Sequence, residues 1–356
     1  MASSHTRTRW RALVLLAACA GLVGIDPAWS APVGDALDRP AVMSQQAALA
    51  VLLGAAQAGS RLIAVGERGI IVVSDDGGVS WRQVPAPVSV TLTAVRFADS
   101  KHGFTVGHGG TVLTTADGGE TWTRRLDGRA AAQLALAAAR ASGDERAVRE
   151  SARLVADGPD KPLLDVLVLD AQHAVVVGAY GLAFATADGG RSWASWMDRF
   201  DNPSGLHLYA IRRHGERLLI VGEQGLVRLS EDGGQTFVSV KIPYRGSFFT
   251  AEFLATDQFV VAGLRGNVWR SANGGASWTQ VTVPAPASIT ASALRDDGAL
   301  VLVNQAGMVL GERAGALVPV NAALLPPLNG ILPKRDGSLL ALSIHGALSV
   351  PFGEQK

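Results

Sequence analysis

The sequence predicts an all-β fold: a seven-bladed β-propeller carrying a small helical hairpin inserted between blades 2 and 3. Three observations predict it. A paired-glycine turn, G-x-x-G, recurs along the chain, and its second glycine falls at positions 69, 110, 181, 225, 266, 307 and 346. Five of these turns are followed, in constant phase, by a box reading S/T-x-D/N-G-G-x-S/T-W/F. The steps between the glycines are 41, 71, 44, 41, 41 and 39, so one interval alone is stretched. A period of about 40–45 residues with four short strands per unit is the signature of propeller blades. A ring that closes on itself also removes the exposed sheet edges that an open array would leave.

Composition agrees. The chain has 356 residues, 48% of them hydrophobic and 18% charged, which is enough apolar material for a large core. Glycine is abundant at 41 residues, as short strands joined by tight turns require. The net charge is +1, and without the first 30 residues it becomes −1. A balance so close to neutral argues against binding nucleic acid through its phosphates.

At the N-terminus, Arg7, Arg9 and Arg11 precede an apolar run from Ala12 to Ile25, and Ala28-Trp29-Ser30 follows. This is the pattern of a secretory signal over residues 1–30, with export to the periplasm expected. Leu16-Ala17-Ala18-Cys19 offers an alternative, a lipoprotein signal ending at residue 18 with Cys19 acylated as a membrane anchor. Cys19 is the single cysteine, so neither a disulfide framework nor a cysteine metal site is available. Residues 31–356 then form one propeller.

The boxes are Ser74–Trp81, Thr115–Trp122, Thr186–Trp193, Ser230–Phe237 and Ser271–Trp278. Their acidic positions are Asp76, Asp117, Asp188, Asp232 and, as a departure, Asn273. Their aromatic positions are Trp81, Trp122, Trp193 and Trp278, with Phe237 in the fourth box. An Asp can accept hydrogen bonds from the N–H groups of its own turn, and the Trp is expected to pack between blades. Blades 6 and 7 lack the box. In blade 2 the strands are expected at Leu92–Ala98, Gly103–Val106, Thr111–Thr115 and Thr121–Arg125. The two residues between the paired glycines are expected to form the hairpin tip.

The stretched interval holds an insertion at 127–158. Arg129–Ala141 is alanine-rich and helix-prone. Ser142-Gly143-Asp144-Glu145 is expected to act as a capping box starting a second helix through Ala156. Leu134, Leu136, Val148, Leu154 and Val155 would form its apolar stripe. At the other end, blade 7 runs out before its outer strand, and residues 31–43 are expected to supply it.

The box is the Asp box, or BNR repeat, of sialidases and related propellers. Its longer form, V-G-x-x-G-x-[IV]-x-x-[ST]-x-D-G-G-x-[ST]-W, is met at Val65–Trp81, Val106–Trp122, Val177–Trp193 and Val221–Phe237. Over roughly residues 45–350 the chain resembles the photosystem II stability/assembly factor family. That resemblance implies a non-enzymatic assembly factor whose partner is a membrane-protein client or envelope complex of photosystem or exporter type. No cofactor or metal is expected, since the seven histidines lack metal-ligand spacing and the boxes lack the successive acidic ligands of a calcium loop, and the chain is expected to be a monomer.

Strand order makes the hairpin tips and interblade loops share one face, opposite the boxes, and loops carry function more often than the frame does. The candidate protein-binding residues on that face are Arg68, His108, Tyr180, Glu223, Tyr244, Arg245 and Arg265. Arginines and aromatics are typical interface anchors. The insertion belongs to the same face. Phe249 is expected in the core. The enzymatic alternative is a sialidase-like glycoside hydrolase, which needs an arginine cluster, a Tyr/Glu nucleophile pair and an acid. Tyr180, Tyr209 and Tyr244 are the tyrosines available, and Arg68, Arg245 and Arg265 the arginines that could gather. No H-E-x-x-H, P-loop or G-x-S-x-G occurs.

Overall fold

The computed structural model describes residues 34–313, 315–321 and 323–351. The stretch expected to be a signal, Cys19 and the last five residues lie outside them. Seven antiparallel sheets follow one another along the chain, each ordered from inner to outer strand as the chain runs. They span residues 52–84, 92–126, 163–195, 208–239, 248–281, 289–319 and 328–350. Six have four strands and the seventh has three. The second blade's strands are Leu92–Phe97, Gly103–Gly107, Thr111–Thr115 and Thr123–Leu126.

The core is distributed between blades. Seven apolar clusters each join one blade to the next, and the last of them joins blade 7 to blade 1 through Leu340 and Leu342 against Leu52, Leu62 and Val72. That contact, with Asn329 Nδ2 donating to Leu52 O at 3.1 Å, closes the ring. The box aromatics belong to these clusters. Trp122 packs with Ile63 and Val73 of the preceding blade, and Phe97 meets its ring edge-on at 6.1 Å.

Residues 35–41 do not complete blade 7. Ala41 N donates to Ala86 O at 3.0 Å and Ser89 N to Ala36 O at 2.8 Å, which pins the segment beside blade 1. Leu37 is buried over the tip of blade 2. Asp35 and Asp38 pair with Arg129 at the start of the insertion. The sequence expectation fails because the segment finds an apolar socket and two arginines nearby, on the far side of blade 1 from blade 7. Among the described residues, blade 7 has no fourth strand.

The insertion forms α1 (Gly128–Ser142) and α2 (Glu145–Asp157). Asp127 caps α1 by accepting from the N–H groups of Arg129 and Ala130, and Gly143 ends it at φ 74°. The cap of α2 is Asp144, not Ser142, whose hydroxyl donates to Ala139 O and accepts from Asp144 N ahead of the helix. Buried alanines 131, 132, 135 and 139 form most of the packed face of α1, so the expected leucine stripe is only part of it. Gly128 lies on the paired-glycine turn of blade 2, where a Cβ on Gly110 would come within 2.6 Å of its Cα. The helices therefore rise from the hairpin-tip face.

Candidate functional site

The tip face is built from the paired glycines. The first glycine of each pair is extended, and its lack of a side chain admits the residue that opens the inner strand. At Gly66 a Cβ would overlap Val51 O, the atom that accepts from Glu67 N at 3.0 Å. The turn itself lies one residue later than the sequence suggests. Ile70 N donates to Glu67 O, and the two residues between them, Arg68 and Gly69, have φ of 54° and 74°. This is the turn of the primed type that matches strand twist and favours glycine at both centres. Yet its first centre is Arg68, Tyr180, Gln224 or Arg265 in four blades, all at positive φ. Each such residue costs about 1 kcal/mol and projects its side chain off the face.

A second feature repeats in every blade. The inner strand skips one residue against its neighbour, as between Leu52 and Gly54 or Phe248 and Thr250. Such bulges bend a strand and re-aim a side chain. The skipped residues are Leu53, Thr93, Leu164, Tyr209, Phe249, Thr290 and Asn329, and all seven line one axial cavity of about 240 Å³. They form a ring at its mouth on the tip side. Blades 3, 4 and 5 supply an apolar sector of Leu164, Tyr209 and Phe249. The polar members bind the frame: Thr93 Oγ1 donates to Leu163 O at 2.8 Å and Thr290 Oγ1 to Leu328 O at 2.7 Å. Phe249, expected in the core, is thus a channel residue, while Phe248 beside it is buried.

Below the mouth lies a charged network. Arg212 Nη1 donates to Asp165 Oδ2 at 2.5 Å and its Nε to Glu252 Oε1 at 3.2 Å. Asp165 also accepts from Ile211 N at 3.1 Å, and Glu252 accepts from Ser292 Oγ at 2.8 Å. Arg96 reaches Asp165 only at 3.6 Å. Desolvation lowers the pKa of Arg96, while in Arg212 the two carboxylates outweigh desolvation and raise it. None of these residues stands in a recognisable sequence motif. The signal that finds them is register: Arg96, Arg212 and Glu252 occupy the same inner-strand position in three blades.

The predicted face residues are dispersed around this mouth. Tyr180 is exposed and its ring lies tilted against His207 at 5.0 Å; His207 then contacts Tyr209 at 6.0 Å, and Tyr209 contacts Phe249 at 5.1 Å. Lys161 sits 5.2 Å above the Tyr180 ring. An aromatic path thus runs from a hairpin tip to the channel. Glu223 holds this path in place, accepting from His207 N at 3.0 Å and lying 3.1 Å from its Nδ1. Tyr244 is half-buried between blades 4 and 5, donating its hydroxyl to Leu264 O at 3.1 Å. Burial raises its pKa and Arg265 opposes this. Arg245 and Arg265 are exposed near it, but Arg68 belongs to blade 1, with blades 6 and 7 in between. The three arginines do not form one cluster. His108 is exposed at its own tip, where partial desolvation lowers its pKa.

On the opposite face the boxes are self-contained. Asp117 accepts from Thr115 Oγ1, Glu120 N, Thr121 N and Thr121 Oγ1 at 2.5–3.0 Å. Desolvation opposes these bonds, yet they win and hold its pKa at about 2. Asp188 is held at about 2 by Ser192 and Thr186, and Asp76 and Asp232 lie lower still, held chiefly by the hydroxyl four residues on. Asn273 fits the same frame, accepting from Ser277 N and donating to Ser277 Oγ, both at 2.9 Å. Trp81, Trp122 and Trp193 each bond the second glycine's carbonyl, whereas Trp278 reaches Lys241 O. No cluster of metal-ligating side chains exists among the described residues.

With this geometry in place, comparison with known proteins is decisive. A family model described as photosynthesis system II assembly factor YCF48 matches residues 73–157 and 151–311. The chain belongs to the Ycf48 family. The photosystem II assembly lipoprotein Ycf48 of Synechococcus sp. (strain CC9902) is 28% identical over 148 residues, covering 40% of this chain and 44% of that protein. The chloroplastic photosystem II stability/assembly factor of Cyanidioschyzon merolae (strain NIES-3377 / 10D) is 48% identical over 50 residues, or 14% and 11% of the two chains. The matches thus span less than half the length of these curated relatives. Among solved structures, a Ycf48 bound to a D1 peptide aligns at TM-score 0.62 and 16% identity, over 88% of this chain and 96% of that one. The Ycf48 of Cyanidioschyzon merolae aligns at 0.62 and 15%, over 85% and 95%. At such identity these alignments establish the propeller fold. The Ycf48-family frame here carries five self-contained boxes on one face and an open, aromatic-rimmed channel on the other.

Proposed function

We propose that this protein is a non-enzymatic, exported assembly factor that holds an extended segment of a membrane-protein client across the channel mouth. The observation that carries the reading is the ring of seven re-aimed residues, apolar over blades 3 to 5 and continued outward by Tyr209, His207 and Tyr180. Family membership supports a client of photosystem type, as does the D1 peptide bound by a solved Ycf48 of the same fold. Anchoring through Cys19 belongs to the same proposal. The boxes take no part, because their carboxylates are saturated by their own turns. A photocrosslinker placed at Tyr180 should capture a membrane protein from envelope membranes, and the same group at exposed Val79 on the box face should not. Equal capture from both positions would refute the reading.

The hydrolase alternative has one observation in its favour, since Tyr209, Arg96 and Arg212 meet in the channel. Arg212 is, however, tied to Asp165 and Glu252, which leaves no arginine clamp for a substrate carboxylate. Tyr244 lies away from the channel and cannot be the nucleophile. Turnover of a fluorogenic sialoside, abolished by Tyr209→Phe, would establish this alternative instead.

A further inference from the structure

A groove of about 380 Å³ separates the helical hairpin from the loop that leaves blade 3. Its floor is apolar, made by Ala139 of α1 with Met197 and Phe200 of the loop. Its rim is acidic: Asp144 and Glu150 stand on the helical side, Asp198 and Asp201 on the loop side. Against these four carboxylates the lining holds one cation, Arg146, and that guanidinium is already engaged. Its Nε donates to Glu150 Oε1 at 2.8 Å and its Nη2 to Pro203 O, so it braces the two walls. Among the described residues, no hydrogen bond or ion pair engages the Asp198 carboxylate. Arg228 Nη2 donates to the Asp201 backbone carbonyl and its charge faces the Asp201 carboxylate, which itself accepts no hydrogen bond among the described residues.

We propose that this groove is a second docking site, and that it takes an extended, cationic segment of a partner protein. Lysine or arginine side chains would meet Asp198 and Asp201, and small apolar residues between them would cover Met197 and Phe200. Charge complementarity selects this occupant, since an acidic segment would bring like charge against the rim. The site lies off the channel, so it stands or falls separately from the client-binding reading.

The test uses the full protein and a fluorescently labelled, end-blocked peptide alternating lysine with leucine, followed by anisotropy. Asp198→Asn/Asp201→Asn should weaken binding about fivefold, as expected for two partly exposed charge pairs. Added salt should weaken the wild type in the same sense. Asp296→Asn/Glu216→Gln removes equal charge from turns on the box face and should leave affinity unchanged. Thermal melts confirm that both variants fold. Equal binding of a glutamate–leucine peptide, or equal loss in the box-face variant, would overturn the proposal. So would competition by spermidine at the peptide's own affinity, because the site would then read charge alone. A concentration-dependent dimer abolished by Asp198→Asn/Asp201→Asn would assign the groove to a second copy of this chain instead.

Discussion

Replacing Asp117 by alanine tests whether the box carboxylate is a frame element. The substitution strips an acceptor from four hydrogen bonds, two from backbone N–H groups and two from threonine hydroxyls. Glu120 and Thr121 reach solvent, so water replaces part of what is lost, while Thr115 is buried and its hydroxyl is not compensated as well. Bonds to a charged acceptor contribute about 1.5–3 kcal/mol when desolvated, and exposure here reduces the total for the box to about 2 kcal/mol. An unfolding entropy of ~2.1 cal/mol/K per residue gives about 0.7 kcal/mol/K for the roughly 320 residues of the propeller, so Tm should fall by about 3 °C. The chain supplies its own control. Asn273 performs the same task through its amide, so Asp117→Asn should cost less than about 1 kcal/mol. Calorimetry at pH 7 reads both variants. Equal losses in the two, or no loss in alanine, would refute the view that hydrogen-bond acceptance is the role of this residue.

Three further outcomes follow from the same contacts. Asp99, whose carboxylate accepts from His102 N and Lys101 N in the first turn of blade 2, joins Asp117 and Asp188 in being held at a pKa of about 2 in the folded state, below the ordinary 3.8. All three therefore favour folding above pH 4 and that contribution is lost as pH falls toward 2; Tm should be level from pH 7 to about 4.5 and then drop. Asp165→Asn leaves Arg212 and Arg96 facing each other with one carboxylate fewer in a buried network, and chemical denaturation should show a loss of about 3 kcal/mol. Leu37→Ala empties the socket over blade 2 at a cost of about 2–3 kcal/mol, and amide exchange in α1 should accelerate because Asp35 and Asp38 no longer hold Arg129 firmly.

Much of the wheel was legible because its repeats are dictated by backbone needs. A close carbonyl fixes the first glycine of each pair, a positive φ fixes the second, and the Asp box bonds to itself, so each leaves a local signature. The turn was misplaced by one residue because Arg68, Tyr180, Gln224 and Arg265 occupy a conformation that sequence reasoning reserves for glycine. The channel was illegible for a different reason. Tyr209 and Phe249 point inward only because each inner strand skips a residue, and a bulge shifts the alternation that would otherwise place them. The Arg212–Asp165–Glu252 network joins blades 3, 4 and 5 across some forty residues at each step, a distance no motif spans. The path of residues 35–41 depended on a socket that exists only once blade 2 and α1 are assembled.

Among the described residues, the junction of blades 7 and 1 differs from the clasp found where one sheet is shared between both ends of a chain. No strand of the described residues crosses it; leucine side chains and a few side-chain hydrogen bonds span the gap. Thermal or mechanical stress should therefore open the wheel at that seam, peeling blade 7 away before any sheet is unzipped. Asn329 would part from Leu52 first, leaving the channel temporarily slotted along one side.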